Sequence, residues 1–229
     1  MPSSDPASSA APAARLSVKQ QRAADRAAKL EKFRKEQARR KRNRRIGIAA
    51  GIVGGVAVIA LLVVSFVLAP KPASYSAGGD GTDIPGVETF TNSAAHVTTP
   101  VTYAQTPPAG GEHNPTWLNC GVYSESVPAE YAVHSMEHGA LWMTYDPAEI
   151  DAEEVEVLRS LMPSRHAILS PFEGMETPVA VSGWNTQLKL DSVDRDAIAA
   201  FFEEYWQSNS VPEPGAPCTG GIDGPGKVA

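Results

Sequence analysis

All five histidines of this 229-residue chain lie in its C-terminal two thirds, at His96, His113, His134, His138 and His166. Imidazole is the side chain best suited to proton transfer and transition-metal ligation near neutral pH. His134 and His138 stand four residues apart in V-H-S-M-E-H-G (133–139). On a helical turn that spacing puts both rings on one face, where both can reach one metal ion. Glu137 would point elsewhere on a regular helix, yet it is placed to orient a histidine or to act as a catalytic base. His113 sits in the loop P-P-A-G-G-E-H-N-P (107–115), where no strand register fixes it and it can swing toward the pair. Imidazole ligands suit zinc or copper, and a sulfur from Met136 or Met143 would favour copper. The competing account is structural: a histidine pair with no defined third ligand is common, and such rings often hydrogen-bond backbone carbonyls. The order is not H-E-x-x-H, because the glutamate precedes the second histidine directly.

Cys120 and Cys218 are the only cysteines. With no C-x-x-C and no cluster, a structural disulfide is the economical expectation, with a thiolate metal ligand or a redox couple as alternatives. A bridge closing a loop of nearly 100 residues restricts the unfolded chain by up to about 4.7 kcal/mol in the entropy model.

What positions these residues begins with an uneven distribution of charge. The net charge of −6 conceals a tail of +10 over residues 1–45 and a segment of −16 over 71–229. Between them, residues 46–69 contain no ionisable group and a single serine. As a helix these 24 residues span about 36 Å, enough for a hydrocarbon core of roughly 30 Å. A single transmembrane helix is expected there, in the plasma membrane. K-R-N-R-R (41–45) abuts it on one side and only Lys71 is close on the other. The positive-inside rule then leaves the N-terminus cytoplasmic and the C-terminal domain extracytoplasmic. That compartment is oxidising, which suits the disulfide.

Residues 1–16, rich in Ala, Ser and Pro, are expected to be disordered. Residues 17–45 consist largely of strong helix formers and predict a basic helix or stem. Its cations face lipid headgroups rather than nucleic acid, since each basic residue beside a membrane gains about 1 kcal/mol from anionic lipid. Gly47 and Gly51 make a G-x-x-x-G pair of the kind that lets membrane helices approach closely. Residues 70–89 are a Pro, Gly and Ser linker, and 90–229 form the extracytoplasmic domain.

Within that domain, A-L-W-M-T-Y (140–145), H-A-I-L-S (166–170) and P-V-A-V-S-G-W (178–184) predict strands, with a further short one at 187–190. A helix opens at Pro147 and stops at Pro163, and a last helix starts from a cap at Asp191 or Ser192. Strand, helix, strand, strand, helix predicts an α/β domain built as a small two-layer sandwich. Pro-rich residues 90–131 predict loops and short strands wrapped over the sheet.

Five segments together carry a resemblance: P-P-A-G-G-E-H-N (107–114), W-L-N-C-G-V-Y (117–123), V-H-S-M-E-H-G (133–139), P-V-A-V-S-G-W (178–184) and P-E-P-G-A-P-C (212–218). In order and content they resemble the bacterial family called domain of unknown function 3105, over about residues 96–218. That family is frequent in actinobacteria, often behind a basic tail and one membrane helix. The resemblance brings no activity with it, but implies that His113, His134, Glu137 and His138 occupy motif positions. The leading expectation is a membrane-tethered domain whose His113, His134 and His138 hold zinc or copper, with Glu137 orienting a ligand ring or acting as base and the disulfide clamping the loop of His113. Two alternatives stand beside it: a non-enzymatic accessory subunit docking on a membrane-protein partner of an envelope or respiratory complex, and a metal-dependent hydrolase. No P-loop, nucleophile elbow, Rossmann glycine pattern or EF-hand occurs, which argues against nucleotide chemistry.

Overall fold

The computed structural model describes residues 18–68 and 71–228, so the tail expected to be disordered, 1–16, falls outside the described residues. The chain divides into two compact units, 1–69 and 70–229.

In the first unit a single helix, α1 (Val18–Leu68), runs without a break from the basic stem into the apolar segment. It is one helix long and apolar enough to cross a membrane. Its stem carries the i,i+4 ion pair Glu31–Lys35 at 2.7 Å, while Ile52, Val56, Leu61 and Leu62 are exposed along the apolar part.

The second unit is built on a six-stranded mixed sheet in the order β1-β6-β5-β3-β4-β2. Its strands are β1 (Val87–Thr89), β2 (Gly121–Val122), β3 (Leu141–Tyr145), β4 (Ala167–Pro171), β5 (Val179–Gly183) and β6 (Thr186–Leu190). β3 and β4 are parallel, and α3 (Ala152–Ser160) makes the crossover that parallel neighbours require. β5 and β6 form an antiparallel hairpin whose first strand pairs with β3, so Met143 faces both Leu169 and Val181. The helices α3 and α4 (Arg195–Tyr205) cover one face, where Leu158, Ile198, Phe201 and Phe202 pack on Leu141, Met143, Leu169 and Val181. This is the sheet-and-helix pair of layers expected from the strand and helix order.

Alternate residues of the same strands point the other way. There Trp142 and Ile168 pack under Leu118, Tyr123 and Val127 from the Pro-rich loops and under Ala132, Val133 and Met136 of α2 (Ala129–Glu137). Both faces are therefore dry, which explains why β3, β4 and β5 are buried at every position.

Helix boundaries differ from the sequence expectations for identifiable reasons. α3 starts at Ala152 rather than Pro147, because Asp151 caps it in a reciprocal capping box with Glu154. The residues after Pro147 form a turn instead, with the Asp146 carboxylate accepting the Ala148 N–H at 2.9 Å. α4 is capped by Asp194, whose carboxylate accepts the N–H groups of Asp196 and Ala197, rather than by Asp191 or Ser192.

Polar residues on the α2 side of the sheet fix the loop that carries His113. Gln187 donates from Nε2 to Pro107 O at 2.7 Å and to Ser182 Oγ at 2.8 Å. Ala109 O accepts from Asn185 N at 2.9 Å and from Asn92 Nδ2 at 3.0 Å. The loop has no regular secondary structure, but it is tied to the sheet at both places.

Candidate functional site: a buried cluster of histidine and glutamate

α2 is short, and nine residues do not hold a helix in water without tertiary support. Its apolar side, Ala132, Val133 and Met136, enters the core. Its other side carries His134 and Glu137, and His138 is the C-cap. Ser135 adds a buried tie, donating from Oγ to Leu118 O at 2.6 Å. The helix ends because Gly139 adopts φ +91°, where a Cβ would also lie 3.1 Å from Gln207 Cα.

Three buried rings are held in the same way by one nitrogen. Nδ1 of His113 lies 2.7 Å from Gly111 O, Nδ1 of His134 2.7 Å from Asn114 O, and Nδ1 of His138 2.7 Å from Pro217 O. A carbonyl only accepts, so each Nδ1 carries the proton and donates. In the neutral ring each Nε2 is then a bare lone pair. The carbonyl of Gly111 is presented by two glycines at φ +112° and +124°, and a Cβ on Gly111 would press on the Tyr103 ring at 3.2 Å.

Those Nε2 atoms converge. His134 Nε2 and His138 Nε2 are 3.0 Å apart, and His113 Nε2 is 2.9 Å from Glu137 Oε2. His96 joins the cluster through a parallel backbone bridge with His113, which brings its Nε2 to 3.2 Å from the same Glu137 oxygen. On the far side Glu213 Oε2 lies 3.3 Å from His138 Nε2. Two groups result, His96/His113/His134/Glu137 and His134/His138/Glu213, each with its ligand atoms within 4.8 Å of one another. His134 belongs to both.

Such an arrangement is electrostatically incomplete. Two lone pairs facing each other, or a lone pair facing a carboxylate, repel unless a proton or a cation lies between them, and burial removes the water that would otherwise intervene. His113, His134, Glu137 and His138 are all nearly inaccessible. Burial holds the His134 imidazole below the usual histidine pKa, partly offset by its bond to Asn114, and the neighbouring His138 and His113 push the same way as burial. A proton is therefore disfavoured on the ring that both groups share. Ligand atoms about 2.0–2.1 Å from one tetrahedral ion lie about 3.3 Å apart, close to the separations found here.

A model of the family described as a protein of unknown function (DUF3105) matches residues 96–220. The chain belongs to the DUF3105 family. No curated protein and no solved structure matches it. The matched DUF3105 region begins at His96 and takes in every member of both ligand groups and both cysteines, while α1 lies outside it.

Of the residues singled out in the sequence, His113, His134, Glu137 and His138 come together in the DUF3105 region. His166 does not; its Nε2 donates to Ala216 O at 3.0 Å. Met136 packs in the core beneath α2 and Met143 in the core on the opposite face, so the soft ligands expected from them are core residues. Cys120 and Cys218 form the disulfide, with Cα atoms 5.4 Å apart. It joins the Pro-rich segment that follows His113 to the C-terminal tail. The residues leading to Cys218 form a strap: Glu213 N donates to Glu137 O at 3.1 Å, Glu213 reaches His138, and Pro217 O holds the His138 ring. His96 and Glu213 were not visible as site residues in the sequence. His96 lies in an unremarkable stretch and Glu213 among prolines, and only long-range pairing brings them in.

Proposed function

We propose that this protein is a single-pass membrane protein whose extracytoplasmic DUF3105 domain binds a divalent transition-metal ion, zinc or copper, among the Nε2 atoms of His96, His113 and His134 and the carboxylate of Glu137. His138 supplies a further nitrogen beside His134, and Glu213 an outer carboxylate. Supporting this is the pattern of Nδ1 bonds. Metal-ligating histidines characteristically donate the other ring N–H to a carbonyl or carboxylate, which fixes the tautomer and aims the ligating nitrogen. Three buried rings do this at once, with their lone pairs turned toward one another and toward a carboxylate. A purely structural histidine gains nothing from facing another lone pair.

Nitrogen and carboxylate donors without sulfur suit zinc and copper(II) over copper(I). Glu137 is engaged by two imidazoles through one oxygen, which favours a ligand over a free base and ranks hydrolysis below metal binding. His96 and Glu213, with side chains 40% and 47% exposed, give the buried donors a route to solvent for ion entry. Membrane lipid is the partner that covers the exposed apolar residues of α1, and the basic stem puts the N-terminus inside.

The test is elemental analysis of the full chain purified in mild detergent, stripped with chelator and reloaded with zinc or copper. About one ion per chain, a raised Tm and loss of both in His134→Ala are expected. A chain that retains neither metal after dialysis and shows no thermal shift with either overturns the proposal.

A further inference from the structure

A cavity of about 900 Å³ shares none of the ligand residues of the histidine–glutamate cluster. Its wall includes Lys71, Arg159 and Arg165. Residues 71–229 contain only six Lys and Arg against 22 acids, so half the cations of an acidic domain line a single cavity. Among the described residues only one acid, Glu156, lines it with them. Of the other three cations, Lys189 pairs with Glu176 at 2.6 Å and Lys227 with Asp223 at 2.5 Å, while Arg195 donates to Oγ of Ser160, itself a lining residue, at 3.4 Å.

The cationic wall is braced from behind. Arg165 lies over the Trp206 ring, 5.7 Å from its centroid. Trp206 Nε1 donates to the carbonyls of Arg165 and His166, each at 3.1 Å. His166 adopts φ +50°, a conformation uncommon for a side-chain-bearing residue. Its Nε2 is tied to Ala216, while its buried Nδ1 has no hydrogen-bond partner among the described residues. Arg159 meets Glu156 at 3.3 Å in an exposed i,i+3 pair, a contact of little net value that an incoming anion exchanges readily.

We propose that this cavity binds a phosphate-bearing anion. Guanidinium groups offer planar, paired donors that match phosphate oxygens, and a lysine adds a mobile point charge. The volume falls in the range of small-ligand pockets. Val122, Met162, Ala167 and the Cys120–Cys218 disulfide supply apolar wall beside the cations, so a phosphate ester with an apolar body fits better than bare phosphate. Two sources share that chemistry: a soluble phosphate ester and the headgroup of an anionic phospholipid. In the sequence only two residues separate Lys71 from the end of α1 at Leu68.

The experiment uses the full chain in non-ionic detergent, titrated with inorganic phosphate and glycerol 3-phosphate. In parallel the chain is placed in nanodiscs of phosphatidylcholine with and without phosphatidylglycerol. Binding is followed by calorimetry and by tryptophan fluorescence, since Trp206 backs Arg165. Saturable binding weakened at least tenfold in the double variant Arg159→Gln/Arg165→Gln, with metal content unchanged, is expected. Response to the soluble esters identifies that source, and response only in phosphatidylglycerol nanodiscs identifies the lipid. If the double variant does not fold, Lys71→Gln, an exposed change, should weaken binding several-fold. Absence of binding in every arm, or binding indifferent to these substitutions, overturns the proposal.

Discussion

At the scale of residues, His134 is the atom-level hinge of the cluster, because both ligand groups contain it. His134→Ala is expected to lower metal affinity by more than 100-fold, whereas His138→Ala costs about 10–100-fold, the range for groups that support rather than complete a site. Calorimetric titration of the two variants against zinc separates these outcomes. Metal affinity should fall as pH drops from 7.5 to 5.5, since protons compete for the Nε2 lone pairs. In the metal-free protein the sign is the same for a different reason. Burial depresses the His134 pKa, so the unfolded chain takes up a proton first, and stability present above the ordinary histidine value of about 6.5 is lost as pH falls below it. Thermal unfolding of chelator-treated protein across that range checks it; a Tm that rises toward pH 5.5 would contradict the assignment. The His134–His138 spacing could be read in the sequence because i,i+4 neighbours share a face whatever the surroundings. His96 could not, since its place depends on a backbone bridge to His113 that no local pattern announces.

At the scale of elements, β3, β4 and β5 were legible to within a residue or so, because they are apolar runs bounded by Gly and Pro, whereas the three-residue β1 lies in the segment expected to be a linker. α2 was legible only as a turn. Half of its buried residues, His134, Ser135 and Glu137, are polar, so its composition does not resemble that of a helix facing water on one side. Of the strap to Cys218 only its disulfide end was legible, as Pro and Gly set its path. Reducing that disulfide, or Cys218→Ser, is expected to cost about 2–5 kcal/mol of stability and to weaken metal binding through His138 and Glu213 while leaving the His113–Glu137 contact in place. Denaturant unfolding and metal titration with and without reductant measure the two effects; equal metal affinity in both states would show that the strap does not support the ring. Asp151→Ala should cost about 1 kcal/mol by removing the α3 cap, read as a lower denaturant midpoint with unchanged metal content.

For the whole molecule, the charge split and the long apolar helix were plain in the sequence because they depend on composition alone. The stem and span are one uninterrupted helix, and the acidic domain follows as a separate unit. If the basic stem is inside, as proposed, cysteines introduced singly into the stem and into the Gly78–Gly81 turn should react oppositely with a membrane-impermeant thiol reagent on whole cells. Labelling of the domain and protection of the stem is the expected pattern, and the reverse would invert the topology.

Pro217 has two neighbours of different kinds. Its carbonyl holds the His138 ring, and the residue also lines the cationic cavity together with Cys218. If both proposed ligands bind, Pro217 gives them a physical route of coupling, and any such coupling is reciprocal. Whatever factor an anion in the cavity imposes on metal affinity by shifting that carbonyl, the metal must impose on anion affinity in return. Metal affinity measured with and without the anion would then report on both proposed sites, and anionic lipid content would be a variable to hold constant in that comparison.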